Sequence, residues 1–526
     1  MTPGTTLPGN TSALLAALAA QPESEWLAQG RALTLRSDMA GALAVFNAAT
    51  SRFPESADIR LGLAGLLWQT GESEQAEQLL REWLAAHPAD AGMALLLASL
   101  LREHGRLTAV GEVLLSAFAN GAHDVDTVIR AVETLDDYGR PNEALTICEN
   151  AMAADDDDPR LHAYAGMLGI QLGQFERTRA HYARALQQEP AAVEWNIPLG
   201  LAGLQRYEDA SHPDFSFFRD VLARSDITAY TRRSTLFALG KAHDDVGDYA
   251  SAATYFRQAN AMGHAHASWS RKLWKRNIQA RLAAAKPTVS LPAPTDWTPI
   301  FVVGVPRSGT TLVAKRLADH AGVRNRGELG WLQVWEERLS HKSPLHAAAL
   351  EEAARSLEMQ LRQDDGDASW IIDKQPLNLL RVDLIMALWP NARIVHCQRN
   401  GRDTALSLWT QPFHDQAHDY AYDFGDIDAV IRGCRQLAEL WQARYPQAFR
   451  SIAYEQLVCE PDACIDALRD WLGMPLQSTA QPTDVHQSVI ATASAWQARQ
   501  PVYTRSAGRW VHYAPYLPEL LDIPEH

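Results

Sequence analysis

Along residues 1–285, apolar positions recur in a rhythm that strands cannot use. Over 59–69 and again over 76–84 they return every three or four residues, the period of a helix buried along one face. The pattern itself repeats. Gly71, Gly105, Gly139 and Gly173 stand 34 residues apart, and Ser37 fills the preceding slot. Five residues after each come Ala42, Ala76, Val110, Ala144 and Thr178, mostly small. Pro54, Pro88 and Pro190 lie on the same grid, with Ala122 and Asp156 at the two skipped points. Each unit therefore reads as a helix, a turn with Gly where that helix stops, and a second helix ended near Pro. The small residue after the turn lets the two helices approach closely. One such hairpin cannot bury its own face, so the units must stack. A further unit over 236–260 carries Gly247 and Ala252 out of phase, and 209–226 is expected to hold the insertion.

After residue 285 the pattern changes. Pro287, Pro292, Pro294 and Pro299 sit among Ser and Thr, a composition that cannot continue the helices and predicts an extended linker over 286–299. Beyond it, 300–304 is a short β-rich run ending in a Gly-containing loop, and 310–320 has a helical period. A second strand is expected over 392–397, followed by a polar turn and a helix over 403–409. Strands alternating with helices imply a parallel sheet covered on both faces. The fold class expected is thus an all-α helical-repeat solenoid (1–285) followed by an α/β domain (300–526) with a central parallel sheet and a phosphate-loop-like turn. The first half resembles the tetratricopeptide repeat, which implies a scaffold or assembly surface, or a groove that presents a polypeptide. The acidic run 155–158 reads as a solvated turn between repeats.

Composition narrows the function. Of 526 residues, 48 are Lys or Arg and 63 are Asp or Glu, a formal net charge of −15. Nucleic-acid binding draws on basic surfaces, so it is not expected; a local basic pocket for a small anion is compatible with the balance. The five cysteines, Cys148, Cys397, Cys434, Cys459 and Cys464, are odd in number and mostly set in apolar patterns. They read as reduced thiols of a cytoplasmic protein. No run approaches a transmembrane span, and the first 22 residues have no positive charge ahead of their apolar stretch, so no secretory signal is read.

The chemistry centres on two loops. Gly304-Val-Pro-Arg307-Ser308-Gly309-Thr310-Thr311 follows the first strand directly. Backbone N–H groups of such a turn, with those of the helix it opens, form an anion-binding nest. A nucleotide triphosphatase would carry Lys where Thr310 stands. Here Arg307 supplies the cation from inside the loop, and the second strand ends in Gln398-Arg399 with no carboxylate to help hold a metal. A sulfuryl group suits this arrangement, because fixed N–H donors and one or two cations can stabilise it without a metal.

Residues 306–311 resemble the 5′-phosphosulfate loop of sulfotransferases, most closely the tyrosylprotein sulfotransferase branch. Arg399-Asn-Gly-Arg-Asp-Thr-Ala-Leu-Ser407 resembles the family's second motif, and the block from Ala453-Tyr454-Glu455 to Gly473 is also similar. The similarity spans roughly 297–513. It implies use of 3′-phosphoadenosine 5′-phosphosulfate (PAPS), with Arg307, Ser308, Gly309, Thr310 and Thr311 at the 5′ end, Arg399 and Ser407 at the 3′-phosphate, and Tyr454 at the nucleotide. Glu328, in Arg-Gly-Glu328-Leu, is then the base. Lys374, in Ile-Ile-Asp-Lys374-Gln-Pro, stabilises charge on the transferring group, and Arg307 shares that role. Residues 503–510 resemble the late loop that covers the cofactor, with Arg505, Ser506, Gly508 and Arg509 in reach of the 3′-phosphate. Gly508-Arg509-Trp510 stands where the family often has a Ser-Lys-Trp type sequence, which leaves Ser506 as the candidate serine.

Rival constellations are weaker. His414 and His418 are four apart but lack the Glu-x-x between them that a zinc hydrolase needs, and Cys459 and Cys464 are not spaced as a zinc pair. The apolar stretch 431–441 reads as core. The expected activity is PAPS-dependent sulfuryl transfer to an acceptor hydroxyl; the repeats favour a polypeptide acceptor, with tyrosine the side chain expected, and no metal is required. The alternatives are a carbohydrate or lipid acceptor, a phosphotransferase, or a repeat scaffold with an inactive second domain. Protein partners through the repeat groove are expected, and a homodimer is compatible with the array.

Overall fold

Four helix–turn–helix hairpins occupy the 34-residue grid before Asp157 in the computed structural model, which describes residues 9–120, 123–154, 157–340, 346–364, 368–413, 416–475 and 505–525. They are Glu23–Leu35 with Met39–Arg52, Ala57–Gln69 with Ser73–Ala86, Ala91–Glu103 with Leu107–Ala117, and Val125–Asp137 with Pro141–Ala153. The turn positions explain the spacing. Gly71, Gly105 and Gly139 have φ of +87°, +71° and +72°, and Ser37 adopts the same left-handed conformation at +61°. Ala42, Ala76, Val110 and Ala144 are fully buried where the paired helices meet. Pro54 and Pro88 each follow the one-residue cap of a second helix. Ala122, Asp155 and Asp156 lie outside the described residues. A second grid runs through the polar residues. Ser56, Asp90 and Asp124, 34 apart, each accept a backbone N–H at the start of a first helix.

By compactness the chain divides at Asp157/Asp158, not at the Pro-rich segment. The second unit opens with a fifth hairpin, Pro159–Leu172 with Phe175–Gln188, capped by Asp158 and turned at Gly173 (φ +74°). After it the repeat phase breaks. Short helices at Pro190–Trp195 and Ile197–Ala202 come next, ahead of the expected insertion, and helix Pro213–Ala223 lies within it. The out-of-phase hairpin, Ala229–Asp245 with Tyr249–His264, then reproduces the repeat signature, with Gly247 at φ +82° and Ala252 fully buried. Helix Arg271–Ala283 ends the helical part.

The reason for the division is a shared core. Phe237, Phe256 and Ile278 of these last helices lie in one apolar cluster with Phe301, Ile371 and Ile394 of the sheet. Residues 286–297 are extended, as their prolines require, but they are tied down: Leu291 N donates to Ala387 O (2.9 Å), and Asn391 Nδ2 donates to Trp297 O (2.9 Å). The change of class from helical array to α/β still falls at this segment.

Five parallel strands make the sheet: β1 (Thr298–Gly304), β2 (Val323–Asn325), β3 (Trp370–Asp373), β4 (Arg393–Gln398) and β5 (Phe449–Ala453), in the order β2-β3-β1-β4-β5. Alternate residues of β1 serve opposite faces. Phe301 and Val303 join the cluster shared with the helical array, while Ile300 and Val302 pack with Val313, Leu317, Ile465 and Leu468. Both faces are therefore covered, and function is left to the edge where the strands end. Helix Phe424–Arg444 contains the 431–441 stretch, and its Ile431, Cys434, Leu437 and Trp441 are core. All five cysteines are free thiols. Burial pushes Cys148 and Cys434 up to about 12. Among the described residues no helix is long and apolar enough to cross a membrane.

Candidate functional site

From β1 the chain runs through β2 and β3 on one side and then returns to β4 on the other. The carboxyl ends of β1 and β4 thus flank a topological switch point, where parallel sheets open a crevice. Both sequence motifs emerge there. The turn after β1 leads into helix Thr310–Ala318, whose first-turn amides have no acceptor within the helix. Arg307 (φ +73°) and Gly309 (φ +98°) hold it in left-handed conformations, which turns successive N–H groups inward. Gly304 has no room for a side chain: a Cβ there would sit 2.6 Å from Cys397 O and 2.8 Å from Ser308 Oγ. At Gly309 a Cβ would meet the Tyr454 ring at 2.6 Å.

The second motif docks against this loop. Arg399 directly follows β4 and donates through Nη1 to Arg307 O (2.9 Å) and through Nη2 to Ser506 O (2.6 Å), with its guanidinium 4.6 Å from the Tyr454 ring centroid. Arg307 Nε donates to Ser407 Oγ, 3.1 Å away on helix Gly401–Trp409. Residues 90 to 200 positions apart in sequence thereby form one network. Two buried polar atoms in it, Ser308 Oγ and Arg399 Nε, have no hydrogen-bond partner among the described residues. Burial lowers the pKa of Arg399. Orphaned donors in a cradle of positive-φ backbone, with Thr310 and Thr311 opening the helix, fit an anionic group.

Glu328 and Lys374 lie at the ends of the next two strands. Arg326 N donates to Ile372 O (2.8 Å) and Lys374 N to Gly327 O (2.8 Å), so the Gly-Glu turn extends the β2–β3 pairing. Gly327, at φ +67°, turns the chain. The Lys374 side chain is 2% exposed and forms an ion pair through Nζ with Glu328 Oε1, whereas Glu328 is 41% exposed. Register places the end of β3 beside β1, with Phe301 opposite Asp373, so the pair and the anion cradle share the carboxyl edge.

Sequence reasoning missed the groups that hold this site together. Asp373 is buried at the end of β3 and accepts from Gln375 N and Asn378 Nδ2 (both 3.0 Å). Burial pushes its carboxyl up to about 7, and the Gln375 and Leu329 amides and Lys374 hold it from rising further. Asp403 is buried too and accepts from Gly508 N (2.6 Å) and Trp510 N (2.9 Å). It fastens the late segment to the second motif. Asp403 lies inside that motif, so its position was available as a signal, though its partner was not. Of the late segment, Ser506, Gly508 and Arg509 are thus drawn to the site's rim and Arg505 is exposed, while residues 503 and 504 lie outside the described residues. His414 also lies outside them, and His418 stacks on Phe413 at 4.4 Å.

Residues 299–478 match the sulfotransferase family model, and residues 33–100 match the tetratricopeptide-repeat model. An uncharacterized protein of Aquifex aeolicus is 24% identical over 95% of this chain and 69% of its own length. Protein-tyrosine sulfotransferase 2 of Gallus gallus is 24% identical over 41% of this chain and 64% of its own length. Human protein-tyrosine sulfotransferase 1 is 24% identical over 43% of this chain and 66% of its own length. The chain therefore spans about two thirds of these relatives. Among solved structures, the sulfotransferase domain of the Synechococcus PCC 7002 olefin synthase aligns at 18% identity with a TM-score of 0.33, over 43% of this chain and 91% of that one. The α/β part, over residues 299–478, is a sulfotransferase-family domain, and it follows tetratricopeptide repeats on the same chain.

Proposed function

We propose that this protein transfers a sulfuryl group from PAPS to the hydroxyl of a polypeptide side chain, with tyrosine the favoured acceptor. The observation that carries the reading is the junction of the two motifs at the switch point, where Arg307 meets Ser407 and Arg399 reaches back to Arg307 O. The turn 304–311 would hold the 5′ sulfate end through backbone N–H groups, Ser308 and the Thr310 and Thr311 amides. Arg399, Ser407, Arg505, Ser506, Gly508 and Arg509 would hold the 3′-phosphate end, with Tyr454 between. In the transfer the acceptor oxygen attacks sulfur in line, its proton passes to Glu328, and the bond from sulfur to the donor's bridging oxygen breaks. Adenosine 3′,5′-bisphosphate leaves. Lys374 and Arg307 offset the charge that builds on the departing oxygen. The ion pair with buried Lys374 supports this role for Glu328, since it aims a half-exposed carboxylate at the same edge. The likeness to protein-tyrosine sulfotransferases and the repeats favour a polypeptide acceptor. Free thiols support a reducing, cytoplasmic setting.

The test offers labelled PAPS with tyrosine peptides and with glycans. Label should enter the peptides. Glu328→Gln should lower kcat by about 10²–10⁴-fold, the usual worth of a positioned base, while binding of adenosine 3′,5′-bisphosphate stays within about twofold. Label on glycans alone would overturn the acceptor, and label on neither would overturn the activity.

A further inference from the structure

A carboxylate of the out-of-phase hairpin reaches the late segment. Asp244 lies in the last turn of helix Ala229–Asp245, the first helix of the out-of-phase hairpin. Its Oδ2 pairs with Arg509 Nη2 at 2.7 Å, and its Oδ1 accepts from Tyr513 OH at 2.5 Å. The Arg509 guanidinium also lies 5.5 Å from the Tyr513 ring centroid, and that ring is fully buried. Next to it, His512 stacks on Tyr249 of the same hairpin at 4.9 Å. On the other side, Asp403 holds the amides of Gly508 and Trp510, and Arg399 holds Ser506 O. The segment 506–513 is thus clasped between the second motif and the array.

A carboxylate in the last turn of a helix meets the negative end of the dipole, so Asp244 gains nothing from its own helix. Its partners are both on the late segment. A guanidinium has five N–H donors in a rigid plane; a contact at Nη2 with a ring alongside fixes that plane and uses only part of the fork. Burial opposes the charge on Arg509, and Asp244 with Tyr513 more than offsets it, so the cation is held firmly.

We infer that Asp244 is a positioning residue for the donor: it orients Arg509 toward the nucleotide's 3′-phosphate, making the out-of-phase hairpin part of the nucleotide site. This rests on the PAPS reading, and the experiment separates the two. Calorimetry on the full chain compares adenosine 3′,5′-bisphosphate with adenosine 5′-phosphate, which lacks the 3′ group. Asp244→Asn should weaken the bisphosphate by about tenfold, the worth of one well-placed charge-assisted contact, and leave the 5′-phosphate unchanged. In turnover, KM for PAPS should rise while kcat holds, and Asp244→Glu should restore most of the affinity. Tyr513→Phe, which keeps the ring, should give a smaller loss of the same kind. No heat from the wild type with either nucleotide sinks the donor reading itself. Wild-type binding with equal or tighter bisphosphate affinity in Asp244→Asn, or an equal loss for both nucleotides, overturns the role of Asp244.

Discussion

Asp373 shows how a single side chain can set the candidate site and tie it to pH. It is the last residue of β3, next to Lys374, 3% exposed, with its oxygens committed to the loop that follows. Burial pushes its carboxyl up to about 7 in the folded chain, against about 4 when unfolded. Between those values the folded state binds more protons than the unfolded state. Stability from this group is therefore fully present below about pH 4 and declines as pH rises to about 7. Asp373→Asn removes the titration. The unfolding free energy of the wild type, taken relative to that variant, should fall across this window by an amount on the order of a few kcal/mol and level off above it. Parallel curves from pH 4 to 8 would contradict the assignment. None of this was legible in the sequence, where Asp373 is one more residue beside a lysine. Its environment is made by Leu329 and Asn378, which only the fold brings near.

At the scale of elements, the repeat was legible because its signals are local. Glycine at the turn, a small residue five positions on and Pro after the second helix each act within one hairpin, and even Ser37 takes the left-handed turn that its place in the grid demands. What the grid does not disclose is which glycines inside helices are there for packing. At Gly65, in helix Ala57–Gln69, a Cβ would meet nothing within 4 Å beyond the helix's own local backbone. Gly166, in helix Pro159–Leu172, would put its Cβ 2.3 Å from Cε1 of buried Tyr182. Helix propensity favours alanine at both. Gly65→Ala should therefore stabilise by about 0.5–1 kcal/mol, whereas Gly166→Ala should cost about 1–3 kcal/mol through overpacking. Denaturant midpoints measured on the two variants check the opposite signs. The strands followed the same logic. β1 and β4 were readable as apolar runs ahead of polar turns, but β2 is three residues long and β5 alternates half-exposed positions, so neither made a run.

For the whole molecule, the sequence locates a change of class near residue 286, but the packing places the mechanical boundary elsewhere. Trp274 Nε1 donates to Ala429 O (3.0 Å), and Gly433 leaves space for Trp274 and Ile278, whose atoms a Cβ there would meet at 2.8 and 2.9 Å. Asn260 Nδ2 donates to Trp409 O (2.9 Å), and a Cβ on Gly263 would meet the Tyr422 ring at 2.7 Å. Such close contacts between the last helices and the α/β part mark one core, not two modules joined by a linker. A fragment that starts at residue 286 would uncover the faces that Phe237, Phe256 and Ile278 cover, and would lose Asp244 as well. Contiguous apolar patches of that kind drive aggregation. A fragment that starts at Asp158 keeps them buried and keeps the clasp on Arg509. We therefore expect residues 158–526 to unfold cooperatively and to bind adenosine 3′,5′-bisphosphate within about threefold of the full chain, a difference below 1 kcal/mol, while residues 286–526 aggregate or melt without a transition. Thermal unfolding and calorimetry on the two fragments decide it: soluble, nucleotide-binding material from the shorter one would show that the helices after Asp158 are dispensable to the site, and the coupling through Asp244 would go with them.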